Sequence, residues 1–166
     1  MQEVSYNRYL AEVDYYLTNG GLFLTAEKEK VNTMVIGWGG INVFWNKQVF
    51  LAAVRKSRYT HKLIEKTGEF TVSVPLERDL KQALDFCGTK SGRDFDKFKA
   101  CGLTPIPGQK INAPVIGECP LHYECRVIYK QDMLPGNLDP EIKGEFYPDP
   151  DFHTFYIGKI VACYLT

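Results

Sequence analysis

The chain has no excess of either charge: twenty lysines and arginines balance twenty aspartates and glutamates, and only three histidines are present. Nucleic-acid binders carry a basic excess, so no nucleic-acid partner is expected. No apolar run reaches the length of a membrane span, and Met1-Gln2-Glu3 lacks the basic and apolar regions of a leader. The expectation is therefore no membrane association and a cytoplasmic location. Five cysteines, odd in number and without repeated spacing, exclude a disulfide framework and read as reduced thiols. Also missing are a GxSxG elbow, a Walker loop and a GxGxxG turn between strand and helix. No acid, base or nucleophile constellation stands out, so no catalytic side chain is assigned. A length of 166 residues supports one real core, and a single domain over 1–166 is expected.

Neutrality hides a strong asymmetry. From Arg55 to Lys66 there are five cations and one acid. From Asp132 to Asp151 there are six acids, one lysine and prolines at 135, 140, 148 and 150. That second stretch lacks periodicity and its acids read as solvated. A strand pattern resumes after it, so it is expected to be an ordered excursion. Its place is near a mouth of the site or against a basic face, with a passive surface loop as the other reading.

The remaining pattern is mostly strand-like. Val13–Leu17 and Leu22–Ala26 flank Thr18-Asn19-Gly20-Gly21 and read as a hairpin. Asn32–Trp38 reads as a strand ended or bent by Gly37, Gly39 and Gly40. Val49–Val54, Glu69–Val74, Leu121–Tyr129 and Phe152–Leu165 follow as strands, with helices near Arg78–Phe86 and Arg93–Cys101. Many antiparallel strands with short connections point to a barrel.

Three segments carry chemistry. Val54-Arg55-Lys56-Ser57-Arg58-Tyr59-Thr60-His61 ends an apolar strand and opens a short helix. Unpaired N–H groups and the positive end of the helix dipole attract anions there, and three cations add full charges. The plain alternative is a solvated basic loop with Thr60 as helix cap. Asn32-Thr33-Met34 opens a strand with two hydrogen-bonding side chains, and Trp38 offers a flat surface beside glycines. Cys87-Gly88-Thr89-Lys90-Ser91-Gly92-Arg93-Asp94 is a polar loop with two cations. Singly these read as a turn exit, a core residue and a helix–helix connection. Together they describe a phosphate-bearing, planar, heteroaromatic ligand. Cys119, His122 and Cys125 do not converge on a metal if 119–125 is a strand, because 122 then points away; buried structural cysteines are expected and no metal is assigned. Anion-binding features without resident catalytic groups suit a protein that borrows its chemistry from a cofactor.

These motifs, with Gly68-Glu69-Phe70-Thr71-Val72-Ser73-Val74-Pro75 and Cys119-Pro120, resemble the flavoredoxin and flavin reductase-like family over nearly the whole chain. The resemblance implies a mainly β fold, a split β-barrel of antiparallel, Greek-key-like strands with a few short helices. It implies a homodimer with FMN at or near the subunit interface. Asn32, Thr33, Met34 and their neighbour strand would line the isoalloxazine, with Trp38 beside it. Ser57, Arg58 and Thr60 would serve the phosphate, in a motif that also carries Val54, Arg55, Lys56 and His61. Lys90 and Ser91 would close over the ligand. The implied activity is NADH- or NADPH-dependent flavin reduction. A flavoredoxin-type carrier passing electrons to a redox protein partner is the alternative, and a non-redox ligand-binding barrel is the third. The histidine-and-glycine signature of nicotinamide-using reductases is not matched; Phe152-His153-Thr154 comes nearest.

Overall fold

The computed structural model describes all 166 residues, in ten strands and five α-helices. The strands are β1 (Gln2–Glu3), β2 (Leu22–Glu27), β3 (Val31–Ile36), β4 (Gly39–Phe44), β5 (Lys47–Arg55), β6 (Glu69–Val74), β7 (Pro105–Ile106), β8 (Val115–Ile116), β9 (Leu121–Asp132) and β10 (His153–Leu165). The helices are α1 (Leu10–Thr18), α2 (Tyr59–Thr67), α3 (Lys81–Thr89), α4 (Lys97–Cys101) and α5 (Pro140–Phe146). No helix is long and apolar enough to cross a membrane.

The main sheet runs β3-β2-β6-β9-β10-β5-β4, with β1 added beside β10, and every pairing is antiparallel. The fold is therefore mainly β and has the expected barrel character. Its sheet ends at β3 on one side and β4 on the other, so one seam carries no strand ladder. The Asn32 amide of β3 donates to Thr60 Oγ1 of α2 there, while the Ala53 N–H bond to Trp38 O continues the β4–β5 ladder by one pair. Inside, Leu22, Leu24, Met34, Phe50, Val54, Phe70, Val72 and Tyr123 pack in one core with Leu63 and Ile64 of α2. A smaller cluster, Phe23, Leu84, Cys87, Phe98 and Ile116, seats α3 and α4 on the outer face.

Glu69–Val74 matches its expected bounds, and β3, β5, β9 and β10 lie within three residues of theirs. Several expectations fail. Val13–Leu17 is not a strand but part of α1: Val13 and Leu17 stand four apart and are both buried, a helical spacing hidden in an apolar run. Asn19-Gly20-Gly21 then ends a helix instead of turning a hairpin, with both glycines at positive φ. Strand β3 does end before Gly37 as expected, but Gly39 and Gly40 then open β4, where a Cβ on Gly39 would strike the Leu51 carbonyl of β5. The two helices after β6 begin later than expected, at Lys81 and Lys97. Cys119 lies ahead of β9 and not in it, its N–H donated to Ile116 O.

The acidic excursion contains α5, which its lack of apolar periodicity concealed. Its start is nonetheless chemically marked: Asp139 caps the N–H groups of Glu141 and Ile142, and Pro140 fills the first helical position. Nor are all its acids merely solvated. Asp132 pairs with Lys56 at 2.6 Å and accepts from Thr154, and Asp151 binds Ser57. Hydrogen bonds from Lys56 and Thr154 hold the Asp132 carboxyl below its ordinary value.

Candidate functional site at the barrel seam

The seam is where the sheet has no ladder, and there the surface opens into a cavity of about 510 Å³. That falls within the range of about 300–1,000 Å³ typical of ligand pockets. Its walls come from β3 (Asn32, Met34), the β5–α2 junction (Arg55, Ser57, Arg58, Tyr59, Thr60), the α3–α4 connection (Thr89 to Arg93, Lys97) and the excursion (Phe146, Pro148, Asp149, Asp151). A second slot of about 160 Å³ adjoins it, lined by Met34 to Trp38 and Ala53 together with Arg55, Arg58 and His153. The two share Met34, Arg55 and Arg58.

The first cavity is ringed by Arg55, Arg58, Lys90, Arg93 and Lys97 against only Asp149 and Asp151, and none of these cations forms an ion pair. Arg55 donates to the Asp151 and Phe146 carbonyls at 2.9 Å, and Arg93 to the Ser57 carbonyl at 2.8 Å. Arg58 begins α2, makes no side-chain cap and has no hydrogen-bond partner for its half-buried guanidinium. Burial, and then neighbouring Arg55, lower its pKa. The first turn of α2 thus offers backbone N–H groups with no capping side chain beside an unpaired arginine. Thr60 is not the cap: it is the second helical residue, and its hydroxyl accepts from Asn32 at 2.7 Å.

Lys97 is the least expected member. It is 3% exposed, and its ammonium donates to Thr33 O at 2.9 Å and Cys87 O at 2.8 Å. An ammonium has three donors, so one is left toward the cavity. Burial pulls its pKa down to about 8, with no carboxylate to restore it. Gly92 allows the α3–α4 connection to lie against β3, since a Cβ there would collide with the Asn32 amide oxygen.

Over the slot sits an aromatic cluster. Trp38 meets Phe146 edge-on at 5.3 Å and His153 at 4.8 Å. Tyr147 stacks on Phe152 at 5.0 Å and binds His153 Nδ1 at 2.7 Å. Burial pushes His153 down to about 4, so the ring is neutral near pH 7. The arrangement can hold a ligand with an anionic group at α2 and a flat apolar part toward Met34 and Trp38.

Residues 16–166 match the family model described as the flavin reductase like domain. The chain belongs to this family. It is 35% identical over 153 residues to an uncharacterized protein of Archaeoglobus fulgidus, covering 92% of this chain and 72% of that one. It superposes on the flavoredoxin of Desulfovibrio vulgaris (Miyazaki F) with a TM-score of 0.70 and 28% identity, over 88% of this chain and 69% of that one. For the flavoredoxin from Methanosarcina acetivorans the TM-score is 0.68 and the identity 30%, over 87% and 67% of the two chains.

In this member of the flavin reductase-like family the seam gathers Asn32, Met34, Arg55, Ser57, Arg58, Thr60, Lys90 and Ser91 around the larger cavity, and Trp38 at the slot. It does not bring Thr33, Val54, Lys56 or His61 to that cavity. Thr33 turns its hydroxyl to Leu24 O, and Val54 is fully buried in the core. Lys56 points to Asp132, and His61 binds Thr154 Oγ1 at 2.9 Å behind the helix. Strand alternation explains the split: within Val54-Arg55-Lys56 successive side chains cannot share one face. Sequence reasoning missed Arg93, Lys97, Phe146, Asp151 and His153. Arg93 lay inside the quoted loop motif, Phe146 and Asp151 in the excursion expected near a mouth of the site, and His153 in the Phe152-His153-Thr154 stretch; Lys97 carried no signal.

Proposed function

We propose that this chain binds FMN at the barrel seam and acts as a flavin reductase, with NADH or NADPH as hydride donor. The observation that carries this reading is the uncapped start of α2 with unpaired Arg58, placed beside a slot that shares its wall and presents Met34 and Trp38. The donor set fits the group: backbone N–H groups, Ser57, Arg58 and the free donor of Lys97 suit a phosphate, and Met34 and Trp38 suit a planar ring. When bound, FMN would supply the hydride chemistry that the side chains lack. The protein's own residues would bind and orient. Ser57 and Arg58 would hold the phosphate, the Lys90–Ser91 connection would flank it, and Met34 would support the ring. No side chain is assigned as acid, since His153 is neutral and its Nδ1 is engaged by Tyr147.

A carrier role is the second reading, supported by the likeness to two flavoredoxins. The same family resemblance supports a homodimer. An exposed patch of Val43, Phe44, Trp45, Ile128 and Tyr129 beside the free edge of β4 suits such contact, and sedimentation would test it.

The deciding experiment is reconstitution with FMN followed by steady-state oxidation of NADH and NADPH with excess free FMN. A flavin spectrum approaching one FMN per chain, with sustained turnover, is expected. Bound flavin without nicotinamide oxidation moves the protein to the carrier reading. Absence of flavin binding ends both.

A further inference from the structure

We propose that the Asp151 carboxylate is a resident stand-in for the ligand's phosphate, which makes the 133–152 excursion a strap that only a phosphate monoester displaces well. This rests on the FMN reading of the seam and deepens it by naming what selects the ligand.

Asp151 Oδ1 accepts the Ser57 N–H at 3.1 Å, and Oδ2 accepts the Ser57 hydroxyl at 2.5 Å. An amide and a hydroxyl each have one proton to give, so both Ser57 donors are spent on the chain's own carboxylate. The strap's other anchors belong to the site as well. Arg55 donates to the Asp151 and Phe146 carbonyls and lies 4.9 Å above the Tyr147 ring. Phe146 rests edge-on against Trp38. One stretch of chain therefore covers both the anion donors and the aromatic surface, and a ligand needing both must lift it.

The contact is built to be displaced. Asp151 forms no ion pair, and Arg58 remains unpaired while the strap is down. A phosphate monoester brings nearly two charges and three acceptor oxygens against one carboxylate. It can engage Ser57, Arg58 and the first N–H groups of α2 together. A neutral flavin without phosphate pays for lifting the strap and recovers nothing at Ser57. A phosphodiester brings one charge per phosphorus and is the poorer competitor. The apparent affinity of every ligand is lowered by the fraction of chains with the strap down, and only the monoester offsets it.

The test uses Asp151→Asn, which removes the charge at constant size, and Asp151→Ala, which removes the competitor. FMN and riboflavin affinities are measured by titration. In a Trp45→Phe background, Trp38 is the sole tryptophan and its emission reports the departure of Phe146; inorganic phosphate is the probe, since it does not absorb. Both Asp151 variants are expected to bind FMN and riboflavin about tenfold tighter, because the strap opposes every ligand that needs the aromatic surface, with FMN remaining the tighter of the two. Phosphate is expected to shift Trp38 emission, at lower concentration in Asp151→Asn. FMN binding that is equal or weaker in both variants overturns the inference, because Asp151 would then brace Ser57. If Ser57→Ala and Arg58→Ala leave FMN affinity unchanged, the phosphate is elsewhere and the seam reading falls too. If those two weaken FMN while the Asp151 variants fail to tighten it, the strap inference alone is overturned.

Discussion

Glu124 and Arg58 are both charged groups drawn into the protein, and the difference lies in how many of their hydrogen-bonding positions the chain fills. Glu124 is fully buried and accepts from the Gln109, Lys110 and Ile111 N–H groups and from the Tyr164 hydroxyl. Nearby, Ser73 lies opposite His122 across β6 and β9, with Ser73 Oγ 3.0 Å from His122 Nδ1, and accepts the Ile116 N–H. A serine and histidine at that distance suggest nucleophile and base. Both are fully buried, however, and burial pushes His122 down to about 4. Their far sides are occupied by Ile116 and Thr166. This polar region is saturated and holds loops to the sheet. At the seam, Arg58 has no partner and Lys97 keeps one donor unspent. Buried polar groups that the chain itself satisfies serve structure; those it leaves under-satisfied are available to a ligand.

The largest effect is expected at Glu124. Glu124→Ala leaves the buried Ile111 N–H, the half-buried Gln109 and Lys110 N–H groups and the Tyr164 hydroxyl without their acceptor, and the loss is expected to reach about 3 kcal/mol or more in a denaturant midpoint experiment. FMN affinity of the folded fraction should stay within about twofold. Preserved stability would mean the loop over 109–111 is not held this way. Arg58→Ala should do the reverse. Stability should change by less than about 0.5 kcal/mol, while FMN affinity falls at least about tenfold and riboflavin affinity much less. Equal losses for the two flavins would move the phosphate away from α2.

Lys97 sharpens the contrast through pH. Its folded value of about 8 lies below the ordinary lysine value of 10.5. Between those values the unfolded chain holds a proton that the folded chain has released, so ligand-free stability should rise with pH across that window. On the proposed FMN reading, affinity should fall over the same rise, because the Lys97 ammonium that lines the cavity loses its charge. Titrations from pH 7 to 9 on Lys97→Met should be flat; an undiminished slope would assign the effect to another group. Lys56→Ala is the smallest perturbation. Its ion pair with Asp132 joins two side chains about half exposed, a geometry worth about 0–1 kcal/mol. FMN affinity should stay within about twofold, and a tenfold loss would return Lys56 to the site.

Much of the barrel was legible because its signals are local. Clean alternation bounded Glu69–Val74, ending at Pro75, and the basic junction after Val54 announced a strand meeting a helix. Val13–Leu17 misled because its i, i+4 pair sits inside an apolar run, where strand and helix patterns overlap. Helix α5 was hidden because its face is not core: Ile142 and Phe146 remain largely exposed, so no periodicity was required of it. The cap at Asp139-Pro140 was the one readable sign.

The sequence by itself determined the strand-rich class, the anion-attracting junction at Arg55–Thr60 and the opposition of basic and acidic segments, since each is a property of neighbouring residues. Only the tertiary structure decided which members of that junction face the cavity, because strand pleat and helix phase send Arg55 and Arg58 inward and Lys56 and His61 elsewhere. It also decided that Lys97 lines the cavity and that Asp151, ninety-four residues from Ser57, accepts both Ser57 donors there. Those contacts join segments far apart in the chain, and such closeness is set by how the sheet closes around its seam.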